Sequence, residues 1–246
     1  MIRRIGWMAR TIVGWPVIIL YTAAVCSWLM IVTRFRPDTH HTEVVARGWG
    51  WLFNFFSGVD NTIEGLENVD RKASYVVVSN HLSNLDAPYH LGTMPVGVRF
   101  LAKKELYKIP LFGSTLRAVG MVETDRQAGA AGHEDINRQV ARVITMGRSL
   151  LIYPEGTRSR DAELHDFKKG AFRIAIENGM PVLPVAFAGT NNVWPPGQWW
   201  WQGGKVKMVF HPPIPTRGLG ADAIEPLRQQ VHRIIGETYA RIRTEV

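Results

Sequence analysis

Cysteine is almost missing from this chain of 246 residues, which contains only Cys26. One cysteine cannot form an internal disulfide, and a chain without disulfides is typical of a reducing compartment. Histidines and acidic residues are present, but they do not cluster at the spacings that hold a metal ion. The sequence therefore predicts no metal and no cofactor.

Negative charge is also scarce, with 21 acidic residues against 29 lysines and arginines, for a net charge of +8. Such a chain suits anionic partners, which include nucleic acid, anionic lipid headgroups and phosphorylated substrates. No nucleic-acid recognition motif accompanies the charge, which argues against nucleic acid as the partner. The length and the 46% hydrophobic content predict one folded domain with a sizeable core.

Charged residues are missing altogether from residues 11–33, an apolar run of 23 residues. As a helix this run would cross a hydrocarbon core of about 30 Å. Gly14 and Pro16 interrupt it, so a re-entrant hairpin within one leaflet is an alternative to a spanning helix. Basic residues on both flanks leave the orientation open and favour the re-entrant form. A cleaved signal peptide is disfavoured, because apolar sequence continues beyond residues 22–24.

Aromatic residues are concentrated in two further segments. Residues 49–56 carry two tryptophans and three phenylalanines, which predict a packed helix. Residues 194–201 form a loop that includes three consecutive tryptophans. Three neighbouring rings cannot all face one core, so we expect this loop to contact the membrane.

Strand and helix patterns alternate along the rest of the chain, which predicts an α/β fold with a largely parallel sheet. Residues 73–78 are a β-branched run typical of a buried strand, and Ser79-Asn80-His81 follows it. A helix is expected to start at Asp86, with that residue as its cap.

His81 and Asp86 are spaced i to i+5, which on a regular helix would turn the two side chains about 140° apart. They meet only if the chain turns between them, with His81 on the loop and Asp86 at the start of the helix. A neutral imidazole could then take a proton from an alcohol while the carboxylate fixes its tautomer. A helix cap beside a surface histidine would explain the pair equally simply.

The stretch Tyr153-Pro-Glu-Gly-Thr-Arg158 follows a second predicted strand. Its glycine permits close approach of a ligand to the backbone, and its hydroxyl and guanidinium groups suit phosphate oxygens. The spacing is not that of a P-loop.

Ser79 and Ser83 flank His81, but the Gly-x-Ser-x-Gly elbow of serine hydrolases is missing. A thioester donor would need no covalent intermediate, because its thiol is already a good leaving group.

Four blocks occur in order, and together they are far more specific than any one of them. They are Asn80-His81-x4-Asp86; Lys104-Glu105-Leu106-x3-Pro110-x2-Gly113; Tyr153-Pro-Glu-Gly-Thr-Arg158; and Val182-Leu-Pro184-Val185. In this order the chain resembles the glycerolipid acyltransferase family, and within it the bacterial 1-acylglycerol-3-phosphate acyltransferases.

The resemblance implies a role for each candidate residue. His81 would be the general base for the acceptor hydroxyl, and Asp86 would be its partner. Lys104 would bind or polarise a group near the reaction centre. The acceptor's glycerol phosphate would be bound by residues from two regions of the chain: Glu155, Gly156, Thr157, Arg158 and Arg126.

The fold implied is α/β, with a mixed, mostly parallel sheet flanked by helices and an N-terminal helical membrane anchor. We accordingly expect a membrane-embedded helical segment at residues 1–40 and an acyltransferase domain at residues 41–246. The expected location is the inner (cytoplasmic) membrane, with the catalytic domain facing the cytoplasm and in contact with membrane lipids.

The implied reaction moves a fatty acyl group from acyl-CoA or acyl carrier protein to the sn-2 hydroxyl of lysophosphatidic acid, forming phosphatidic acid. The same chemistry on a lyso-ornithine lipid, another lysophospholipid or glycerol 3-phosphate is an alternative. A non-catalytic protein that binds anionic lipid is a third, but it would leave the His81–Asp86 pair unexplained.

Overall fold

Strands and helices alternate along most of the computed structural model, which describes residues 2–35, 40–124 and 129–246. The helices are α1 (Ile2–Phe35), α2 (His40–Ser57), α3 (Asp86–Thr93), α4 (Phe112–Ala118), α5 (Gly129–Thr145), α6 (Gly170–Glu177), α7 (Thr190–Val193) and α8 (Ile224–Ile242). The strands are β1 (Val59–Glu64), β2 (Val76–Ser79), β3 (Val98–Lys103), β4 (Val122–Thr124), β5 (Ser149–Ile152), β6 (Val182–Ala188) and β7 (Gly204–Phe210).

The strands form one sheet in the order β1-β7-β6-β2-β5-β3-β4. Strands β6, β2, β5, β3 and β4 run parallel to one another, whereas β7 is antiparallel to β6 and β1 is parallel to β7. The predicted mixed, mostly parallel sheet is therefore confirmed.

The central strands are buried along their whole length, which explains their unbroken apolar sequences. Every residue of β2, β5 and β6 is buried, as expected for parallel strands covered on both faces. Because β6, β2, β5 and β3 are parallel neighbours, their carboxyl ends lie along one edge of the sheet, where α/β folds place ligands. This edge is called the carboxyl edge below.

The N-terminal apolar run is part of a single helix, α1, that continues through Gly14 and Pro16. No hairpin therefore occurs within residues 2–35, and α1 packs against α2 instead. Ile18 and Leu29 face the protein, whereas Leu20 is largely exposed. By length and composition α1 can cross a membrane.

The three consecutive tryptophans of the aromatic loop do not share one environment. Trp201 is fully buried and stacks on Trp15 of α1, with ring centroids 5.2 Å apart. Trp199, by contrast, is half exposed. The three rings therefore do not all face one core, and contact of the loop with the membrane stays a prediction. Gly14 has no side chain, which lets α1 approach the Trp201 ring closely.

Helices α2 and α3 cross at a contact between their backbones. A Cβ atom added to Gly50 would collide with the amide nitrogen of Gly92 and the carbonyl oxygen of Pro88. Neither backbone atom can move without displacing α3, the helix that begins at Asp86. The spacing of these two helices therefore depends on a residue without a side chain.

We expect Gly50→Ala to lower the free energy of unfolding by about 2 kcal/mol, because the added methyl group overpacks this crossing. Gly170→Ala is the matched control, since it too is in a helix but has no atom within 4 Å of the added carbon. That control should be neutral or slightly stabilising. Thermal unfolding in detergent measures both variants, and equal unfolding temperatures would contradict the close crossing.

Candidate active site

The first and third sequence blocks meet at the carboxyl edge. His81 follows β2, and residues 153–158 follow β5. These two strands are paired in register, with Val78 opposite Ile152. The pairing brings the loop that contains His81 beside the loop formed by residues 153–158.

His81 and Asp86 are in direct contact, as the spacing required. Nδ1 of His81 lies 2.6 Å from Oδ2 of Asp86. The chain turns between them, and Asp86 is the first residue of α3. The Asp86 side chain has no exposed surface, whereas the His81 side chain is 20% exposed. One partner is therefore enclosed, and the other remains accessible to a substrate.

The carboxylate of Asp86 is surrounded by hydrogen-bond donors. Its Oδ2 accepts the backbone amides of Leu82 at 2.6 Å and Ser83 at 2.8 Å. Its Oδ1 accepts the hydroxyl of Thr190 at 2.6 Å. The predicted N-cap role is wrong, because Leu85 occupies the cap position and Asp86 satisfies the amides of the preceding turn. Its negative charge still suits the positive end of the α3 dipole.

These contacts define the protonation of the His81 ring. A carboxylate can only accept a hydrogen bond, so the Nδ1 atom facing Asp86 carries the proton. The other ring nitrogen, Nε2, then has a free lone pair and can act as a base. This is the division of roles that an imidazole–carboxylate pair needs for proton abstraction from a hydroxyl.

Tyr153 holds the His81 ring from one face. The two rings stack with centroids 4.1 Å apart and planes 11° apart. The Tyr153 oxygen lies 3.1 Å from Nδ1 of His90, which is itself 2.8 Å from the backbone carbonyl of Asp86. Burial raises the pKa of Tyr153 well above its usual value, so the phenol stays protonated. The Tyr153 side chain thus contacts His81 through its ring and the buried His90 through its hydroxyl.

Glu155 lies beneath His81 and bonds to the backbone. Its Oε1 accepts the amide of His81 at 2.8 Å, and its Oε2 accepts the amide of His165 at 3.1 Å. The residue is 4% exposed. Burial raises the pKa of Glu155, an effect that these two amide bonds oppose. With one amide on each oxygen, this carboxylate fixes the loop around His81, and its contact with the substrate stays a prediction.

The remaining residues of the third block form a basic and exposed surface. Gly156 adopts a φ of +76°, and a Cβ atom there would lie 2.8 Å from Nζ of Lys168. Thr157 and Arg158 are exposed. A guanidinium nitrogen of Arg158 donates to Oδ1 of Asn84, which lies in the turn between His81 and Asp86. The cationic groups are thereby attached to the same turn that carries the base.

The other two predicted binding residues differ in what the structure says of them. Lys104 directly follows β3, so it lies on the carboxyl edge one strand beyond the third block, and it is exposed. Arg126 lies outside the described residues. Within the described ranges, no group of three or more histidine, cysteine or acidic side chains is placed to hold a metal ion.

Neither serine near His81 is placed as a nucleophile. The Ser83 hydroxyl donates to the carbonyl of Trp194 at 2.9 Å. The Ser79 hydroxyl is buried and lies 3.4 Å from Nε2 of His90. Both hydroxyls therefore contact groups other than the His81 ring.

Sequence reasoning missed one residue of the site, Thr190, and one contact, that of Tyr153. Thr190 lies just after Gly189, past the end of β6, a position on the carboxyl edge that does not by itself report a contact with Asp86. Tyr153 was noted, but its contact with His90 was not foreseen. That contact joins α3 to the residue after β5, two parts of the chain that no local pattern relates.

With this geometry established, comparisons with known proteins identify the family. A sequence profile of the Acyltransferase family matches residues 60–188. The 1-acyl-sn-glycerol-3-phosphate acyltransferase of Pseudomonas aeruginosa is 30% identical over 231 residues, covering 91% of this chain and 89% of that protein. A Limnanthes douglasii protein of the same name is 28% identical over 88% of this chain and 77% of its own length.

A solved structure is similar across the whole fold. The crystal structure of the 1-acyl-sn-glycerophosphate (LPA) acyltransferase PlsC from Thermotoga maritima superposes with a TM-score of 0.81. It is 28% identical and covers 98% of both chains. The chain belongs to the acyltransferase family, and its fold is that of this solved structure, a mostly parallel α/β sheet with an N-terminal apolar helix.

His90 leads to a prediction about stability in acid. Burial lowers its pKa from the usual 6.5 to about 4. Between these values the unfolded chain binds a proton that the folded protein does not, so stability falls as the pH drops through this window. At about 1.4 kcal/mol per pH unit, the loss approaches 3 kcal/mol. Unfolding temperatures in detergent at about pH 7 and about pH 4.5 measure it.

The matched variant is His90→Gln, which keeps a donor and an acceptor but does not titrate in this range. Its unfolding temperature should fall less on acidification than that of the wild-type protein. The same fall in both proteins would show that His90 is already accessible to protons in the folded state.

Proposed function

We propose that the protein transfers a fatty acyl group from acyl-CoA or acyl carrier protein to the sn-2 hydroxyl of lysophosphatidic acid, forming phosphatidic acid. The observation that carries this proposal is the His81–Asp86 pair, 2.6 Å apart, beside an exposed basic loop on the same edge of the sheet. The names of the relatives in Pseudomonas and Limnanthes support the same acceptor.

The reaction follows from the protonation of the pair. Nε2 of His81 takes the proton of the acceptor hydroxyl, and Asp86 stabilises the imidazolium that forms. The acceptor oxygen bonds to the thioester carbonyl carbon, and the carbon–sulfur bond then breaks. The departing thiolate takes the proton back from Nε2, which restores the neutral ring and the ionised carboxylate. Lys104 is proposed to stabilise negative charge near the reacting carbonyl.

The acceptor phosphate is proposed to bind at the third block. Thr157 and Arg158 are exposed there, and the ammonium group of Lys168 lies over Gly156. A guanidinium fork matches phosphate oxygens, and its bond to Asn84 keeps it close to His81. Arg126 is proposed as a further phosphate contact. Glu155 is proposed to act through the backbone of His81, which its carboxylate holds.

The acyl chains need an apolar environment, and two features supply one. An apolar cavity of about 90 Å³ lies among α1, α2, α3 and α4. Its lining includes Cys26, Leu29, Ala46, Leu91, Leu116 and Met121. Such a cavity suits part of an extended hydrocarbon chain.

The second feature is the exposed apolar surface of the N-terminal helices. Ile19 and Leu20 of α1 are exposed, as are Trp51 and Phe55 of α2. We propose that residues 1–40 are embedded in the inner membrane, that residues 41–246 form the catalytic domain on its cytoplasmic side, and that α2 adds apolar contact beyond residue 40. A lysolipid acceptor would then remain in the membrane while a soluble donor approaches from the cytoplasm.

The proposal predicts that His81→Ala lowers kcat by about a thousandfold or more while the variant still folds and associates with the membrane. The assay is transfer from labelled oleoyl-CoA, and in parallel from oleoyl acyl carrier protein, to lysophosphatidic acid by the purified full-length protein in detergent. Turnover by His81→Ala within about tenfold of wild type would overturn the mechanism.

The acceptor is tested with Arg158→Ala, which should raise KM for lysophosphatidic acid by about tenfold or more because a hydrogen bond to a charged group is lost. The matched control is Arg217→Ala, an exposed arginine in the loop after β7. A lyso-ornithine lipid serves as a phosphate-free acceptor. The phosphate-bearing acceptor would be rejected, and the chemistry kept, by two results together. Turnover of the lyso-ornithine lipid would be faster than that of lysophosphatidic acid, and KM for the lyso-ornithine lipid would not change in Arg158→Ala.

A further inference from the structure

Thr190 contacts the catalytic pair from a distant part of the chain. Its hydroxyl donates to Oδ1 of Asp86 at 2.6 Å, whereas the ring of His81 uses Oδ2. The backbone amides of Leu82 and Ser83 also go to Oδ2. Thr190 and Asp86 both have no exposed surface. The hydroxyl therefore supplies a donor to the carboxylate oxygen that the turn after β2 leaves without one.

The backbone around Thr190 is shaped for this contact. Gly189, which follows β6, has a φ of +102°, and a Cβ atom there would collide with the carbonyl oxygen of Lys205. This turn directs the chain into α7, of which Thr190 is the first residue. The amide of Trp194 donates to the Thr190 carbonyl at 2.8 Å and closes the helical turn.

The far end of α7 is also held against the site. The hydroxyl of Ser83, within the turn that carries the pair, donates to the carbonyl of Trp194 at 2.9 Å. The Trp194 ring packs against Trp15 of α1 at 5.5 Å and Phe53 of α2 at 6.3 Å between ring centroids. Helix α7 is thus attached to the catalytic turn at both ends, and the apolar helices pack behind it.

We propose that Thr190 is a positioning residue of the reaction, an assignment that rests on the proposed function. By donating to Oδ1, it stabilises the ionised form of Asp86 and fixes the orientation of the carboxylate toward His81. The pair carries one negative charge before it takes the substrate proton. Loss of a donor destabilises that charged form and raises the proton affinity of the pair as a whole.

Thr190→Val tests the proposal because it removes the hydroxyl and keeps the shape. At neutral pH kcat should fall by about tenfold, with KM for lysophosphatidic acid within about twofold of wild type. The acidic limb of the kcat–pH profile should move up by about one pH unit, since a proton now competes better for the pair. Thr190→Ser keeps the donor and should restore most of kcat and the position of the limb.

The matched control is Thr216→Val. The hydroxyl of Thr216 is buried too, but it donates to the carbonyls of Ala175 and Met180, before the start of β6 and away from the carboxyl edge. This variant should lose stability and keep the wild-type pH profile. A purely structural role for Thr190 would lower the amount of active protein equally at every pH. If Thr190→Val does not fold, Thr190→Ala provides the same measurement.

The outcomes separate this assignment from the proposed function. If wild-type protein turns over and His81→Ala does not, an unmoved acidic limb in Thr190→Val or Thr190→Ala overturns the assignment alone. Failure of Thr190→Ser to recover kcat would overturn it as well, because the hydroxyl would then not be the relevant group. If wild-type protein transfers no acyl group from either donor to either acceptor, the proposed function is overturned and the assignment with it.

Discussion

The buried carboxylate of Asp86 is the group on which the geometry of the site depends. A carboxylate without exposed surface is stable in its ionised form only when donors surround it. The chain supplies the ring of His81, the amides of Leu82 and Ser83, and the hydroxyl of Thr190. Because these donors follow β2 and β6, one charge fixes two loops relative to each other and to the start of α3.

A second buried carboxylate completes the placement of the base. Asp86 orients the ring of His81, and Glu155 accepts the backbone amide of His81. The backbone amide of Ser159 donates to the His81 carbonyl at 2.8 Å. Tyr153 packs against the ring face. The accessible part of the residue is therefore the edge with Nε2, which is the atom that the proposed reaction uses. A ring held from so many directions changes little on binding, which favours preorganised proton transfer.

Most of the fold could be predicted because its signals are local. β-Branched runs followed by polar residues indicated strands that end at a site, and the spacing of His81 and Asp86 required the turn that joins them. The contact from Thr190 could not be predicted, because it depends on β6 lying next to β2 in the sheet. Trp201 packs inward for a similar reason, since α1 covers it. The sequence predicted that Glu155 contacts the substrate. The amides of His81 and His165 that it accepts indicate that it positions the loop around His81.

The central claim is that the Asp86 carboxylate makes His81 a base for acyl transfer. The most direct measurement is kcat for transfer from oleoyl-CoA to lysophosphatidic acid by Asp86→Asn, which preserves the size of the side chain and removes its charge. We expect kcat to fall by about 10³- to 10⁴-fold, and the double variant with His81→Ala to lose little more, because the two residues act as a unit. Turnover by Asp86→Asn within about tenfold of wild type would contradict the account.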